Sequence, residues 1–155
     1  MLHNLTKRKF DQKGFTIIEV LIVLAIAGLI MLVVFLAVPA LQRNSRNTTL
    51  KNDASALSGA FQEYVSNNNG TNPASITQAG ATVTVGAAGT VQASAQVNGS
   101  TTVVVAKTTP VAFAAGQLWW NTGKTCSGTA TPRAITVYYY VESTTPPAAP
   151  SCIDA

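Results

Sequence analysis

The side chains that could carry catalytic chemistry are few in this chain of 155 residues. Its single histidine, His3, lies in a basic N-terminal stretch, so the rest of the chain cannot build a Ser-His or Cys-His nucleophile pair. Glu142 and Asp154 flank Pro146-Pro147, and this spacing does not indicate a catalytic carboxylate dyad. The acidic residues are too scattered for a calcium cage, and the sequence has no Gly-rich phosphate loop. We therefore predict that the protein is not an enzyme and uses no cofactor and no metal.

Positive charge and hydrophobicity are both concentrated near the N-terminus. The net charge is +4, and charged residues make up only 10% of the chain. Lys7, Arg8, Lys9 and Lys13 precede an uncharged run from Val20 to Leu41. A helix of this length spans roughly 30 Å, the thickness of the hydrocarbon layer of a membrane. Because cations flanking such a segment stay in the cytoplasm, we expect the remaining chain to lie outside it.

The junction between the basic leader and the apolar run has a specific pattern. Gly14-Phe15 is followed by Thr16-Ile17-Ile18 and then by Glu19, a lone carboxylate at the start of the run. An ordinary secretory signal has a shorter apolar region, of about 7–15 residues, before a small-residue cleavage motif. Residues 13–23 resemble the class III signal of type IV prepilins and of the related pseudopilins of secretion systems. The resemblance covers the leader and the apolar run and does not extend beyond them.

This resemblance implies a processing step and an assembly contact. A prepilin peptidase would cleave between Gly14 and Phe15 and methylate the new Phe15 amine. Glu19 would pair with the amino terminus of an adjacent subunit, since a carboxylate in an apolar helix usually faces a partner. Alternatively, Glu19 snorkels to the cytoplasmic interface. The implied partners are identical or related pilin subunits, the peptidase, the membrane and an inner-membrane assembly platform.

The pattern of elements predicts an α+β fold, with one long N-terminal helix packed on a small antiparallel β-sheet head. The resemblance implies that this fold is type IV pilin-like. We assign residues 1–14 to a cleaved leader, 15–41 to a transmembrane or filament-core helix, 42–66 to its amphipathic continuation and 67–155 to the head. Pro39 is expected to kink or locally unwind the helix, and Gly70 to cap its end. The stripe that should pack on the head recurs every three or four residues and comprises Leu50, Ala54, Leu57, Phe61 and Tyr64-Val65.

Short strands separated by turn residues are predicted for the head. Strands are expected at residues 82–85, 90–97, 100–105, 118–120 and 135–141, which are rich in β-branched and aromatic residues. Asn98-Gly99 lies between two of these runs and predicts a hairpin with a type I′ turn.

Cys126 and Cys152 are the only cysteines, and both fall in the part of the chain expected outside the cytoplasm. An even cysteine count in such a compartment favours a disulfide, which the resembled family often has near its C-terminus. Two free thiols remain the alternative. A metal site is unfavourable because two thiols need further ligands.

We therefore expect a pilin: a structural subunit that moves from the cytoplasmic membrane, as a single-pass precursor, into an extracellular type IV pilus serving adhesion, motility or DNA uptake. One alternative is a pseudopilin of a type II secretion system, which shares the same N-terminal signal. The other is a membrane-anchored minor pilin that binds DNA or a surface. Its binding face would use Trp119-Trp120 and Tyr138-Tyr139-Tyr140 beside Lys107, Lys124 and Arg133.

Overall fold

The computed structural model describes residues 14–104, 114–142 and 150–155, and divides the chain after Ala40 into two compact units. The leader before Gly14, Lys107 and the end of the strand predicted at 100–105 lie outside the described residues. One helix, α1, runs over Ile17–Asn67. It continues through Pro39, so the helix is not unwound there. Up to Ala40 its residues are exposed on all sides, and apart from Glu19 none of them is charged. A helix that is apolar all round normally lies inside a membrane or a protein core.

In the second unit, Leu41–Ala155, α1 is amphipathic, as predicted. A polar face is exposed, and residues at three- to four-residue spacing are buried. Phe61 is fully buried and stacks on Trp120, with ring centroids 5.2 Å apart and planes inclined by 28°. The buried residues of α1 are Leu50, Asp53, Ala54, Leu57, Ser58, Ala60, Phe61 and Tyr64.

The C-terminal end of α1 is closed by two residues in the left-handed region. Asn69 has φ +53° and Gly70 has φ +79°. The Gly70 N–H donates a 2.8 Å hydrogen bond to the Val65 carbonyl, five residues earlier, which is the long bond of a Schellman motif. The predicted cap at Gly70 is therefore present, and Asn69 shares the left-handed conformation.

The first sheet is antiparallel and has the strand order β1-β2-β3. Its strands are β1 (Ile76–Ala79), β2 (Thr82–Val85) and β3 (Ala93–Gln96), and β2 matches the strand predicted at 82–85. Alternate residues such as Val83 and Val85 are fully buried. Gly86, which follows β2, has φ +108°, and a Cβ at this position would overlap the ring of Tyr64 on α1. Only glycine lets the sheet approach the helix this closely.

The second sheet has the order β4-β5-β6-β7. Its strands are β4 (Thr102–Val103), β5 (Gln117–Lys124), β6 (Ala130–Tyr140) and β7 (Pro150–Asp154). β5, β6 and β7 pair antiparallel, whereas β4 pairs with β5 in parallel. The α+β prediction is confirmed, with two sheets in place of one. The side chains that join the common core from this sheet are Val103, Leu118, Trp120, Ile135, Val137 and Tyr139.

The predicted Asn98-Gly99 hairpin is wrong. β3 pairs with β2, and β4 pairs with β5 in the other sheet, so the two runs flanking Asn98-Gly99 do not pair. Asn98 is the first residue of the turn, not a central one, because the Thr101 N–H donates to the Asn98 carbonyl at 2.8 Å. Gly99 does not have the positive φ that a type I′ turn requires.

Candidate processing and assembly site

The residues predicted to be processed lie immediately before α1. Gly14 and Phe15 precede the helix, and the Phe15 side chain is 86% exposed. No atom of a described residue lies within 4 Å of the position a Cβ would take at Gly14. A glycine here leaves the backbone open to close approach by another molecule. Glu19 lies within the first turn of α1.

Thr16 and Glu19 form a reciprocal capping box at the start of α1. The Glu19 N–H donates to Thr16 Oγ1 at 3.3 Å, while Glu19 Oε2 accepts from the Thr16 N–H at 2.8 Å and from its hydroxyl at 2.7 Å. The pattern Thr-x-x-Glu before an apolar run is the sequence signature of this motif. Sequence reasoning assigned no role to Thr16, although the signature was readable. Within one chain, Glu19 therefore holds the N-terminus of the helix in place.

The Glu19 carboxylate retains unused acceptor capacity. Both hydrogen bonds that Thr16 donates reach Oε2, and Oε1 accepts no hydrogen bond from a described residue. A carboxylate has about four lone-pair positions, so it can cap the helix and accept from a further donor at once. The nearest cation following it in sequence is Arg43. An external ammonium could therefore bind Glu19 without displacing Thr16.

The apolar part of α1 is uncovered. By length and composition α1 is long and apolar enough to cross a membrane, and none of its most apolar stretch is buried. A continuous apolar surface of this size marks a membrane or protein contact, because water solvates it poorly. The exposed large side chains include Phe15, Ile18, Leu21, Leu24, Leu29, Met31, Phe35 and Leu36.

The predicted disulfide between Cys126 and Cys152 is present, with Cα atoms 5.7 Å apart and a sequence separation of 26. It joins the turn that follows β5 to β7. Asp154 Oδ1 also accepts a 2.7 Å hydrogen bond from the Cys126 N–H, a contact that sequence reasoning missed. Asp154 and the two sulfurs lie within 4.8 Å of one another, but the thiolate is the metal-binding form of cysteine, and here both sulfurs are bonded. The cluster is a cross-link.

Arg46 and Asn47 on α1 bind Glu142, which lies just after β6, and this set of contacts is called the clasp. Arg46 Nε and Nη2 donate to the two carboxylate oxygens of Glu142 at 2.8 and 2.7 Å. The Asn47 amide binds the Glu142 backbone on both sides, donating to its carbonyl at 3.0 Å and accepting from its N–H at 2.8 Å. The hydrogen bonds from Arg46 lower the pKa of the Glu142 carboxyl, against a smaller opposing effect of burial.

The residues of the DNA- or surface-binding alternative occupy separate places. Trp119 and Tyr138 are a half-buried cross-strand pair, while Trp120 and Tyr139 belong to the core. Lys124 and Arg133 are exposed, and each stands five residues along its strand from that pair, about 16 Å away. Lys124 and Arg133 therefore lie apart from the aromatic pair.

The comparisons with known proteins recognise the N-terminal segment. Residues 9–35 match the family model described as "Prokaryotic N-terminal methylation motif", which is the class III signal of type IV prepilins. None of the curated proteins and none of the solved structures compared with the chain gives a significant match. The motif supports a precursor of the pilin or pseudopilin type, and together with the long apolar helix it fits a membrane-anchored precursor.

Proposed function

We propose that the protein is a structural subunit of a type IV pilus, built into the filament through its hydrophobic N-terminal helix. The observation that carries the proposal is a methylation motif at residues 9–35 joined to an apolar helix with no covered face. Such a helix needs lipid around it before assembly and other subunits around it afterwards. A motif of this family points to a structural protein, in keeping with a role that requires no catalysis.

Processing is the first step of the proposed function. A prepilin peptidase cleaves between Gly14 and Phe15 and methylates the Phe15 amine. Support comes from the open backbone at Gly14 and the exposed position of both residues ahead of α1. The cut removes residues 1–14 and leaves 15–41 as the membrane and filament-core helix, 42–66 as its continuation and 67–155 as the head.

Assembly is the second step. The Phe15 ammonium of one subunit pairs with Glu19 of its neighbour, using the oxygen that Thr16 leaves free. Such a pair in a dry core fixes the register between subunits, because an unpaired charge there is strongly disfavoured. The subunit thereby passes from the cytoplasmic membrane, through an inner-membrane assembly platform, into an extracellular homopolymer.

A pseudopilin of a type II secretion system is the competing function. Major pseudopilins often have a calcium-binding head and no disulfide. This head has the Cys126–Cys152 cross-link, and the described residues offer no cluster of oxygen ligands for a cation, so we favour the pilus.

The test is to produce the full chain in a host that has the type IV pilus assembly machinery but lacks its own major pilin. The intact mass of sheared surface filaments is then measured. We expect a filament protein of residues 15–155 carrying one methyl group. Gly14→Val serves as the control, because a branched side chain blocks close approach at the cleavage site, and it should leave uncleaved precursor in the membrane. Assembled filaments that retain residues 1–14 would refute the processing step. Cleaved protein without surface filaments would favour the pseudopilin.

A further inference from the structure

The chain contains two Asn-Gly pairs, Asn69-Gly70 and Asn98-Gly99, and the fold treats them differently. In such a pair the backbone nitrogen of glycine can attack the side-chain carbonyl carbon (Cγ) of asparagine. Glycine permits this because it has no side chain to hinder the approach. Both asparagines are exposed, so solvent access does not distinguish them.

Asn98 is arranged for this reaction. Its Oδ1 accepts hydrogen bonds from the Ser100 N–H at 3.0 Å and from the Ser100 hydroxyl at 2.7 Å. Two donors on a carbonyl oxygen polarise it and stabilise the negative charge that develops when a nucleophile adds to its carbon. The Gly99 N–H donates no hydrogen bond to any residue in the described parts of the chain. The nucleophile is therefore unengaged and the electrophile is activated.

Asn69 is protected by the helix cap. The Gly70 N–H is committed to the Val65 carbonyl at 2.8 Å, and both Asn69 and Gly70 are held in the left-handed region. Attack by the Gly70 nitrogen would first have to break the bond that ends α1. No side-chain hydrogen bond to Asn69 Oδ1 occurs among the described residues, so its carbonyl lacks the donors that Asn98 has.

We propose that Asn98 is a site of spontaneous covalent modification, while Asn69 is preserved by the fold. The Gly99 nitrogen forms a bond to Asn98 Cγ and loses its proton, and the side-chain nitrogen leaves as ammonia. The product is a cyclic succinimide. Water then opens the ring at either carbonyl, which gives aspartate or isoaspartate at position 98. The reaction needs only water, and no oxidant, reductant or enzyme.

The modification changes a turn on which the helix depends. The Asn98 N–H donates to Asp53 on α1 at 3.1 Å, and Thr101 at the other end of the turn donates to the same carboxylate at 2.5 Å. Either product places a new negative charge beside Asp53, and isoaspartate also lengthens the backbone of the turn by one carbon. Each modified subunit therefore has lower net charge and a weakened attachment of the turn to α1.

The test follows the two sites in one protein. The full chain in detergent is incubated at mildly alkaline pH, and peptides are analysed over time by mass spectrometry with fragmentation that separates aspartate from isoaspartate. In the folded protein Asn98 should react at least about tenfold faster than Asn69, the factor expected from one backbone hydrogen bond that must break first. In denaturant and reductant the two rates should converge. An equal or faster reaction at Asn69 in the folded state, or no reaction at Asn98, would overturn the proposal.

Variants identify the reacting groups. Gly99→Ala should fold, because a Cβ there meets no atom within 4 Å and Gly99 does not have a positive φ. Its methyl group hinders the nitrogen and should slow the reaction at Asn98 severalfold. Ser100→Ala removes one donor from Oδ1 and should also slow it, whereas the matched control Ser94→Ala, at an exposed position of β3, should not. Thermal unfolding checks that each variant is folded, and a parental rate in folded Gly99→Ala would rule out attack by the Gly99 nitrogen.

Discussion

Asp53 is the side chain through which α1 holds the connection between the two sheets, and its removal should be costly. It is 7% exposed, and its oxygens accept from the Thr101 hydroxyl at 2.5 Å and from the Asn98 N–H at 3.1 Å. Asp53→Ala leaves both donors without this acceptor. From the usual cost of unpaired donors that had faced a carboxylate, we expect a loss of about 2–4 kcal/mol in the free energy of unfolding.

The expected shift in thermal midpoint follows from the size of the unit. The higher helix propensity of alanine offsets at most about 0.7 kcal/mol. For a unit of about 115 residues, 2–4 kcal/mol corresponds to a midpoint lower by roughly 8–16 °C. Asp53→Asn is the matched control. Its Oδ1 can accept from the Asn98 N–H while its amide donates to the Thr101 hydroxyl, which can also act as an acceptor. It should lose less than half as much.

The assay is thermal and chemical unfolding of the mature chain in detergent, extended to a double-mutant cycle. Thr101→Val keeps the shape of the side chain and removes the hydroxyl. Because Asp53 and Thr101 share one bond, the double variant should be less destabilised than the sum of the single variants by about 1–2 kcal/mol. An Asp53→Ala midpoint close to that of the parent, or strictly additive losses, would refute the reasoning.

Three other sets of substitutions separate charge, capping and cross-linking. Glu19→Gln keeps an acceptor for the Thr16 N–H but loses the charge, so it should leave cleaved subunit in the membrane with few filaments. Thr16→Val keeps the Glu19 charge and should still assemble. Equal filament yields from the two variants in sheared fractions would contradict this. The pKa of Glu142 is lowered by its hydrogen bonds to Arg46, so the stabilisation from this pair is complete above the ordinary carboxyl pKa and disappears as pH falls through the lowered value. Glu142→Gln should flatten that acid-side fall in thermal midpoint, and an unchanged pH profile would argue against the clasp. Cys152→Ser opens a loop of about 27 residues and should lower the free energy of unfolding by about 3.5 kcal/mol on the loop-entropy model. The measurement is the fall in unfolding midpoint, and reduction of the parent protein should reproduce that fall.

The parts of the fold that could be predicted are those governed by local pattern. The uncharged run up to Leu41 is too long for a strand and long enough for a membrane-spanning helix. The stripe through Phe61 recurs at helical spacing, which decides helix over strand. The capping box of Thr16 and Glu19 is equally local and is readable from four residues. The two cysteines allow only one intramolecular pair, so their partnership followed once both were expected outside the cytoplasm.

Prediction failed where distant pairing overrides a local signal. Asn98-Gly99 has the composition of a hairpin turn, but β3 gains a better partner in β2 and β4 gains one in β5. β7 was missed because a five-residue segment that begins with proline and ends with aspartate has a weak strand pattern. The clasp between Arg46 and Glu142 joins residues 96 apart, and no spacing rule connects them.

The two sheets of the head differ in how far apart in sequence their contacts with one another and with α1 are, and this difference determines the order in which the head can fold. β1, β2 and β3 pair within about twenty residues of one another and should form early. The helix face around Phe61 is covered only when β5 and β6, made much later, arrive to place Trp120 against it. Between those events the chain carries open apolar surface and unpaired strand edges, the features that make folding intermediates aggregate. We expect the most vulnerable period of this protein to be the interval in which β5, β6 and β7 emerge and dock.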